Sequence, residues 1–166
     1  MRCPVCGFEN LLGSDVCDNC GSDLAGHDTP QAATSFRGEL LGERLDALTI
    51  GVPETIDATA DVNEAIRRMH ETATDCVLVT DAGRLVGIFT DRDAVLKVAG
   101  LDREARPIAT LMTRDPVVLR HDETIAVAIN KMAIGGFRHI PITDDGRPTG
   151  VITARDVFQH LIDALG

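Results

Sequence analysis

The sequence predicts a mixed α/β (α+β) protein in which one β-α-β-β-α unit occurs twice, packed as a pseudo-symmetric pair, after a small metal-binding segment. The first observation is that the segment Gly87–Asp93 returns, 63 positions later, as Gly150–Asp156. The second is that residues 45–103 align with residues 108–166 without a gap. The third is a group of four cysteines within the first 20 residues. An internal repeat of this kind indicates duplicated structure.

These features divide the 166-residue chain into four parts. The cysteines define residues 1–25 as a small domain, and residues 26–42, which have few apolar side chains, form a predicted linker. Residues 43–103 and 104–166 contain the two repeats. Each repeat is short for independent stability, so we expect the two to bury their apolar strand faces against each other.

The composition is that of a globular protein with an acidic surface. The formal net charge is −10, from 16 basic and 26 acidic residues. Nucleic acid and anionic membranes both attract basic surfaces, so this charge argues against either as a partner. There is no Trp or Tyr to stack on single strands. The chain has no long apolar run and no signal-peptide pattern, so we expect a cytoplasmic protein without membrane association.

The four N-terminal cysteines form two Cys-x-x-Cys pairs, Cys3/Cys6 and Cys17/Cys20, each followed by Gly and separated by ten residues. Four thiolates in tetrahedral array suit zinc, with iron as the alternative. A disulfide is disfavoured because nothing indicates export, and a redox dithiol because its strand-and-helix context is absent. The pattern resembles the short zinc-ribbon family. In so small a domain the metal supplies the folding free energy.

Both repeats contain the same predicted elements. A short strand follows a Pro, over residues 54–56 and again over 117–119. A helix comes next, with apolar residues at the i, i+3, i+4, i+7 spacing of one buried face. These residues are Val62, Ala65, Ile66 and Met69 in the first repeat and Ile125, Ala128, Ile129 and Met132 in the second. Asp61 and Glu64 predict an N-cap and a capping box for the first helix.

Two further strands and a last helix complete each repeat. The strand pairs are predicted over 77–79 with 85–89 and over 140–142 with 149–152, joined by turns in which Gly83 and Gly146 supply a positive φ. The last helix is predicted over residues 91–99 and 154–165. Gly135-Gly136 predicts the end of the second repeat's central helix.

A Thr-x-Arg-Asp motif lies where the final strand of each repeat meets its last helix, at Thr90–Asp93 and Thr153–Asp156. One interpretation is structural, because Thr three residues before Asp at a helix start is typical of a capping box. The other is a binding site, since a helix N-terminus favours an anion and Thr and Asp can hydrogen-bond sugar hydroxyls. Duplication does not separate the two, because a duplicated fold also duplicates its caps.

The repeat length, the element order, the Gly-h-x-Thr-x-x-Asp ending and the stretch Phe137–Ile142 resemble a tandem pair of CBS domains, a Bateman module, over residues 45–166. The resemblance implies regulatory binding of an adenosyl ligand, such as AMP, ADP, ATP or S-adenosylmethionine, in the cleft between the repeats. It implies no catalysis. In the family, each cleft site combines Thr-x-x-Asp of one repeat with the first strand and the Arg-His-h-Pro stretch of the other.

Carried onto this sequence, the family pattern gives two unequal sites. The first combines Thr90, Arg92 and Asp93 with Val118, Arg138, His139 and Pro141. The second combines Thr153, Arg155 and Asp156 with Thr55, Asp75, Cys76 and Leu78. The Asp would accept hydrogen bonds from ribose, the Thr would bond ribose or phosphate, and the motif's Arg would reach phosphate. Because Arg138-His139 suits phosphate and Asp75-Cys76 does not, we expect the first site to bind phosphate better.

No catalytic triad, Cys/His pair or carboxylate pair stands out, so the sequence does not predict an enzyme. The leading hypothesis is a ligand sensor that forms a homodimer, as CBS pairs commonly do, and signals to a protein partner. The alternative is a nucleic-acid- or transcription-associated protein, whose zinc ribbon makes the contact and whose repeats serve as dimeriser or regulator. A third is an electron carrier with iron bound by the cysteines.

Overall fold

The computed structural model describes residues 3, 5–10, 16–22, 24, 42–48, 50–100 and 105–165. The chain divides into two units, residues 1–39 and residues 40–166. The linker predicted over residues 26–42 lies outside the described residues except for Gly42. The second unit contains both repeats.

The first repeat follows the predicted element order. Its elements are β1 (Thr55–Asp57), α1 (Val62–Glu71), β2 (Cys76–Asp81), β3 (Arg84–Thr90) and α2 (Asp91–Asp93), which continues as a π-helical turn over Ala94–Val98. The strand predicted over residues 54–56 is displaced by one residue, and the helix predicted over 91–99 is confirmed as helical.

The second repeat differs at its start. Its elements are β4 (Thr113–Arg114), α3 (Ile125–Gly135), β5 (His139–Asp144), β6 (Arg147–Thr153) and α4 (Ala154–Leu165). The strand predicted over residues 117–119 was wrong in extent, since only a single parallel bridge forms, between Leu119 and Ile142. Val117 and Val118 are 43% and 38% exposed, so they lack the burial that a core strand would give them.

The strands of the described residues form one four-stranded sheet and one hairpin. The sheet has the order β1-β2-β3-β4, with β1 parallel to β2 and the other pairs antiparallel, and β5 pairs with β6. Both hairpin turns have two successive positive φ values, 49° and 77° at Ala82-Gly83 and 48° and 77° at Asp145-Gly146. This is the geometry of a type I′ turn, so the predicted turns are confirmed.

Of the three predictions made for the ends of the central helices α1 and α3, two are confirmed. Asp61 caps α1 by accepting a hydrogen bond from the N–H of Asn63 at 2.9 Å. Gly136, with φ 65°, ends α3 as predicted. The capping box predicted for Glu64 was wrong, because its Oε1 accepts a hydrogen bond from Nε of Arg68 at 3.0 Å, one turn further along.

Each repeat's core is completed by the opening segment of the other repeat, residues 43–50 of repeat one and residues 105–112 of repeat two. Ile108 and Met112 open repeat two, yet they are buried with Phe89 in the core of repeat one. Leu45 and Leu48 open repeat one, yet they are buried in the core of repeat two. Neither repeat therefore fills its core without the other's opening segment, and this exchange holds the pair together.

Backbone hydrogen bonds also connect each repeat to the opening segment of the other. The N–H of Val62, the first residue of α1, donates to the carbonyl of Arg106 at 2.9 Å. The N–H of Ile125, the first residue of α3, donates to the carbonyl of Glu43 at 2.9 Å. The first N–H groups of a helix have no partner within the helix. In each central helix, the opening segment of the other repeat accepts a hydrogen bond from one of these groups.

The opening segments also explain why Gly begins the repeated segments Gly87–Asp93 and Gly150–Asp156. Gly87 in β3 and Gly150 in β6 are buried. A Cβ on Gly150 would lie 2.5 Å from Cγ2 of Ile50, and a Cβ on Gly87 would collide with Met112. Both contacts come from the opening segment of the other repeat, so only Gly permits this approach.

Candidate functional site

Each Thr-x-Arg-Asp motif begins a helix and forms a capping box. The backbone N–H and Oγ1 of Thr90 donate to Oδ2 of Asp93 at 3.0 and 2.9 Å, and the N–H of Asp93 donates to Oγ1 of Thr90 at 3.3 Å. Thr153 and Asp156 repeat the three bonds at 2.8, 2.8 and 3.1 Å. The capping interpretation is therefore confirmed for both motifs. It does not exclude binding, because the same side chains line cavities.

The two Asp side chains differ at their second carboxylate oxygen. Oδ1 of Asp93 forms an ion pair with Nζ of Lys97 at 2.7 Å. The equivalent of Lys97 in the second repeat is His160, whose Nε2 lies 2.8 Å from Glu43 instead. Among the described residues, no hydrogen bond or ion pair reaches Oδ1 of Asp156. Asp156 therefore has one oxygen available to a ligand.

A cavity of about 310 Å³ opens beside the first motif. The first repeat contributes Thr90, Arg92 and Asp93, and the second contributes Val117, Phe137, Arg138 and His139. Apolar surface, carboxylates and guanidinium groups thus face one space. That mixture suits a ligand with an aromatic base, hydroxyl groups and an anionic group.

A second cavity, of about 510 Å³, opens beside the second motif. The second repeat contributes Thr153, Arg155 and Asp156, and the first contributes Pro53, Glu54, Asp75 and Cys76. The structure therefore brings each motif together with residues of the opposite repeat. This is the pairing that the sequence analysis expected.

Arg138 and His139 line both cavities. The sequence analysis assigned them to the first site alone and preferred that site for phosphate on this ground. Both residues do line the first cavity, and the structure adds that both also line the second. Their presence therefore does not by itself distinguish the two sites. The preference of phosphate for the first site remains a prediction for binding experiments.

Arg138 has an acidic partner in the first cavity. Its Nη2 lies 3.7 Å from Oδ2 of Asp91, with both side chains about half exposed. Asp91 is the second residue of the first motif, and Ala154 occupies that position in the second. The first cavity thus has a carboxylate that the second lacks, and it pairs with the cation that the two cavities share.

Burial changes the ionisation of two residues that line the cavities, His139 in both and Cys76 in the second. Burial lowers the pKa of His139, although nearby Asp75 and Asp91 act in the opposite direction. Burial, reinforced by the charges of Asp75 and Asp91, raises the pKa of the Cys76 thiol to about 12. Near neutral pH both side chains are therefore uncharged, and Arg138 is the shared cation.

Several predicted ligand-binding residues lie elsewhere. Val118 is not part of the first cavity's lining, where Val117 takes its place, and Thr55 is likewise replaced in the second by Glu54. Pro141 is buried in β5, and Leu78 is fully buried in β2. For Val118 and Thr55 the cause is that the first strands are shorter than predicted or displaced, whereas Pro141 and Leu78 are buried inside β5 and β2.

Among the lining residues that the sequence analysis did not name are two acidic ones in the first cavity. Asp91 and Asp115 both face the first cavity. Aligning the two motifs shows Asp91 opposite Ala154, and this difference between the repeats could have identified Asp91 from the sequence. Asp115 lies in a left-handed backbone conformation, φ 45°, beside Pro116, and only the tertiary fold brings it to the cavity.

The four N-terminal cysteines converge as predicted. Their sulfur atoms all lie within 4.8 Å of one another. Sγ of Cys3 is 3.7 Å from that of Cys20, and Sγ of Cys6 is 3.6 Å from that of Cys17. Tetrahedral zinc with bonds of about 2.3 Å places its sulfur ligands about 3.8 Å apart, so the four residues fit such an ion.

The turns around the cysteines have a regular geometry and favour the thiolate of Cys17. Gly7 and Gly21 adopt φ of 74° and 70°, and each donates its N–H to the carbonyl of the first Cys of its pair at 2.9 Å. For Cys17, burial opposes ionisation. Hydrogen bonds from the backbone of Cys20 and Asn19 and from the side chain of Asn10 outweigh it and lower the pKa to about 6. A thiolate is the form that binds metal.

Comparison with known proteins identifies the class to which this fold and these cavities belong. The family model described as the CBS domain matches residues 50–100 and residues 108–163. The chain therefore belongs to the CBS-domain family, with two CBS domains in tandem. The matched ranges coincide with the two repeats, so the resemblance inferred from the sequence is confirmed.

Individual relatives agree with this assignment. The CBS domain-containing protein CBSCBSPB5 of Arabidopsis thaliana is 35% identical over 139 residues, which cover 81% of this chain. The chain spans only 25% of the length of that relative. A CBS-domain-containing protein of Agrobacterium tumefaciens has a crystal structure with 33% identity and a TM-score of 0.62, covering 70% of this chain and 89% of that one.

A second similar structure contains a ligand. A CBS domain protein from Pyrobaculum aerophilum, complexed with AMP, is 22% identical with a TM-score of 0.65, covering 74% of this chain and 98% of that one. At this identity the likeness establishes a shared fold. Separately, no helix in the described parts of the chain is long and apolar enough to cross a bilayer.

Proposed function

We propose that this chain is a regulatory module that binds an adenosyl ligand in the clefts between its two CBS domains and passes the binding event to a protein partner. The observation that carries the proposal is the pair of cavities, each combining a Thr-x-Arg-Asp motif of one repeat with residues of the other. A ligand that bridges two repeats can change their packing, provided that it binds one arrangement more tightly than another.

The chemistry of each cavity supports an adenosyl ligand. The carboxylates of Asp93 and Asp156 are acceptors suited to ribose hydroxyls, and Arg92, Arg155 and Arg138 are donors suited to phosphate. Apolar side chains such as Phe137 offer a surface for a base. The AMP complex of the Pyrobaculum aerophilum protein is consistent with this use of the fold.

A thermal-shift panel of AMP, ADP, ATP, S-adenosylmethionine and NAD tests the proposal. Ligand at 100 times its Kd adds about 2.7 kcal/mol to the free energy of unfolding, so we expect at least one compound to raise Tm by several degrees. The double variant Asp93→Asn, Asp156→Asn should lose the response. Asp145→Asn, in an exposed turn, is the matched control. No response to any of the five compounds would contradict the proposal.

For the N-terminal unit we propose a structural zinc ion bound by Cys3, Cys6, Cys17 and Cys20, with a role in folding and not in catalysis. Elemental analysis of the purified chain should find one zinc per chain and a colourless protein. A red protein containing iron would contradict this and support an electron carrier. Cys17→Ser should abolish stoichiometric metal binding, whereas Cys76→Ser, outside the cluster, should leave it unchanged.

We also propose that the chain is a cytoplasmic homodimer whose output is a protein partner. Analytical ultracentrifugation with and without AMP tests the dimer, and a monomer in both conditions would contradict it. The charge of the N-terminal unit disfavours the nucleic-acid alternative, since residues 1–39 contain six acidic residues and only two basic ones, Arg2 and Arg37. Phosphate backbones are bound mainly through basic side chains.

A further inference from the structure

We infer that the two clefts compete for Arg138, so that a phosphate-bearing ligand in one cleft weakens the binding of a second in the other. This inference rests on the proposed function and concerns its regulation. Its starting point is geometric. The two cavities have different Thr-x-Arg-Asp motifs, yet Arg138 and His139 belong to the walls of both.

Arg138 has no counterpart that could serve the second cleft independently. The position 63 residues earlier is Asp75, which lines the second cavity and carries the opposite charge. The pseudo-symmetry that duplicates the Thr-x-Arg-Asp motif therefore fails in the wall. Each cavity is lined by its own motif arginine, Arg92 or Arg155. The other arginine in both linings is Arg138, which belongs to the repeat opposite the first motif and lies beside the second motif, where its carbonyl accepts the N–H of Ala154 at 2.9 Å.

The other shared residue does not relieve the competition. His139 is half-buried, and burial lowers its pKa, so it is neutral near pH 7 and can supply one hydrogen bond but no charge. A guanidinium, in contrast, binds phosphate through parallel charge-assisted hydrogen bonds in a fixed planar geometry. One such group can make its bidentate contact with only one phosphate at a time.

In the ligand-free chain, Asp91 is the acidic partner of Arg138. Its carboxylate holds the guanidinium of Arg138 at 3.7 Å on the side of the first cleft. The equivalent Ala154 provides no such hold on the side of the second. A phosphate in either cleft must therefore displace or share the pairing with Asp91. Removing that carboxylate should strengthen phosphate binding without adding any contact.

Isothermal titration of the full-length chain with AMP, and with adenosine as the ligand that lacks phosphate, tests the inference. For AMP we expect two binding steps whose intrinsic Kd values differ by at least about tenfold, the effect of one charge-assisted hydrogen bond. For adenosine the two values should lie much closer together. In Arg138→Gln the AMP ratio should fall to the adenosine ratio, and in Arg138→Lys, which keeps a single cation, it should persist.

Two further variants complete the design. Asp91→Asn should tighten the first AMP step severalfold and leave adenosine unaffected. Arg120→Gln, which removes an exposed arginine paired with Asp122 outside both cavities, should behave as the unaltered chain. Arg138 is 60% exposed, so its replacement should leave the urea unfolding curve unchanged, and this is checked first.

The outcomes separate this inference from the proposed function. If two AMP molecules bind with an intrinsic ratio that Arg138→Gln does not alter, the competition is refuted while the function stands. A stoichiometry of one for both AMP and adenosine in every variant also refutes it, because a single site cannot compete with another. If neither AMP nor adenosine binds, the proposed function fails, and this inference fails with it.

Discussion

The two repeats share their backbone-determining residues and differ in the side chains that face the clefts. Gly87 and Gly150, Thr90 and Thr153, and Asp93 and Asp156 occupy equivalent positions and make equivalent contacts. The differences are Asp91 against Ala154, Lys97 against His160, and Asp75-Cys76 against Arg138-His139. All but Lys97 and His160 line a cavity.

This contrast teaches which residues the fold requires and which it leaves free. Gly is required because the opening segment of the other repeat lies against it, and Thr and Asp are required because they cap a helix. The cavity walls have no comparable structural constraint. Identity between the repeats therefore covers the scaffold together with the motif that the proposed function assigns to the ligand, and divergence between them is concentrated in the remaining cavity walls.

The largest expected effect concerns the exchanged core segments. Leu45→Ala and Ile108→Ala each truncate a fully buried side chain and should lower the free energy of unfolding by about 2–5 kcal/mol, measured by urea denaturation. Hydrogen exchange should accelerate first in β5 and β6 for Leu45→Ala and in β2 and β3 for Ile108→Ala. Val52→Ala, at a 97% exposed position, is the control. Faster hydrogen exchange first in β2 and β3 for Leu45→Ala, or first in β5 and β6 for Ile108→Ala, would contradict the packing of each segment against the opposite repeat.

The next effect distinguishes the two carboxylates as ribose acceptors. Asp156→Asn and Asp93→Asn should each weaken adenosine binding in one cleft only, by roughly 10- to 100-fold, the range of a hydrogen bond to a charged group. We expect the larger loss for Asp156→Asn, because Asp93 already shares its charge with Lys97. Equal losses in both clefts from either single variant would show that the carboxylates do not act separately.

A smaller effect separates capping from binding. Thr153→Ala should destabilise the ligand-free chain by about 1 kcal/mol, since it removes the cap of the 12-residue helix α4. Thr90→Ala should cost less, because α2 has only three residues before the π-helical turn. Thr153→Ser keeps the hydroxyl and should restore stability in thermal unfolding. A Thr153→Ala variant as stable as the unaltered chain would argue against a capping role.

The smallest effect is a pH dependence located in the wall of repeat two. Burial lowers the pKa of His139 in the folded chain, so the unfolded chain takes up this proton at higher pH. The free energy of unfolding should therefore decrease as pH falls below about 6.5. His139→Gln should reduce that slope between pH 7 and pH 5, measured by urea denaturation at several pH values. An unchanged slope would remove His139 as its source.

The sequence was sufficient for features that depend on local pattern. The repeat, the hairpin turns with a positive φ at Gly83 and Gly146, the caps at the Thr-x-Arg-Asp motifs and the clustering of the four cysteines are all confirmed. Each is encoded by residue types at fixed short spacing, where backbone sterics or metal geometry leaves few alternatives.

Features that depend on long-range packing were not predictable from the sequence. Leu48 and Leu111 occupy equivalent positions, yet nothing in either sequence indicates that its segment packs against the opposite repeat. The position of Arg138 in the walls of two cavities likewise depends on how the repeats meet. Small displacements of the first strands then decided whether Val117 or Val118, and Glu54 or Thr55, faces a cleft.

The most direct test of the central claim is a crystal structure of the chain grown with AMP. We predict AMP in a cleft between the repeats, with its ribose hydroxyls on the carboxylate of Asp93 or Asp156 and its phosphate within hydrogen-bonding distance of Arg138. AMP bound outside both clefts, or bound within one but with its phosphate directed away from Arg138, would contradict the account.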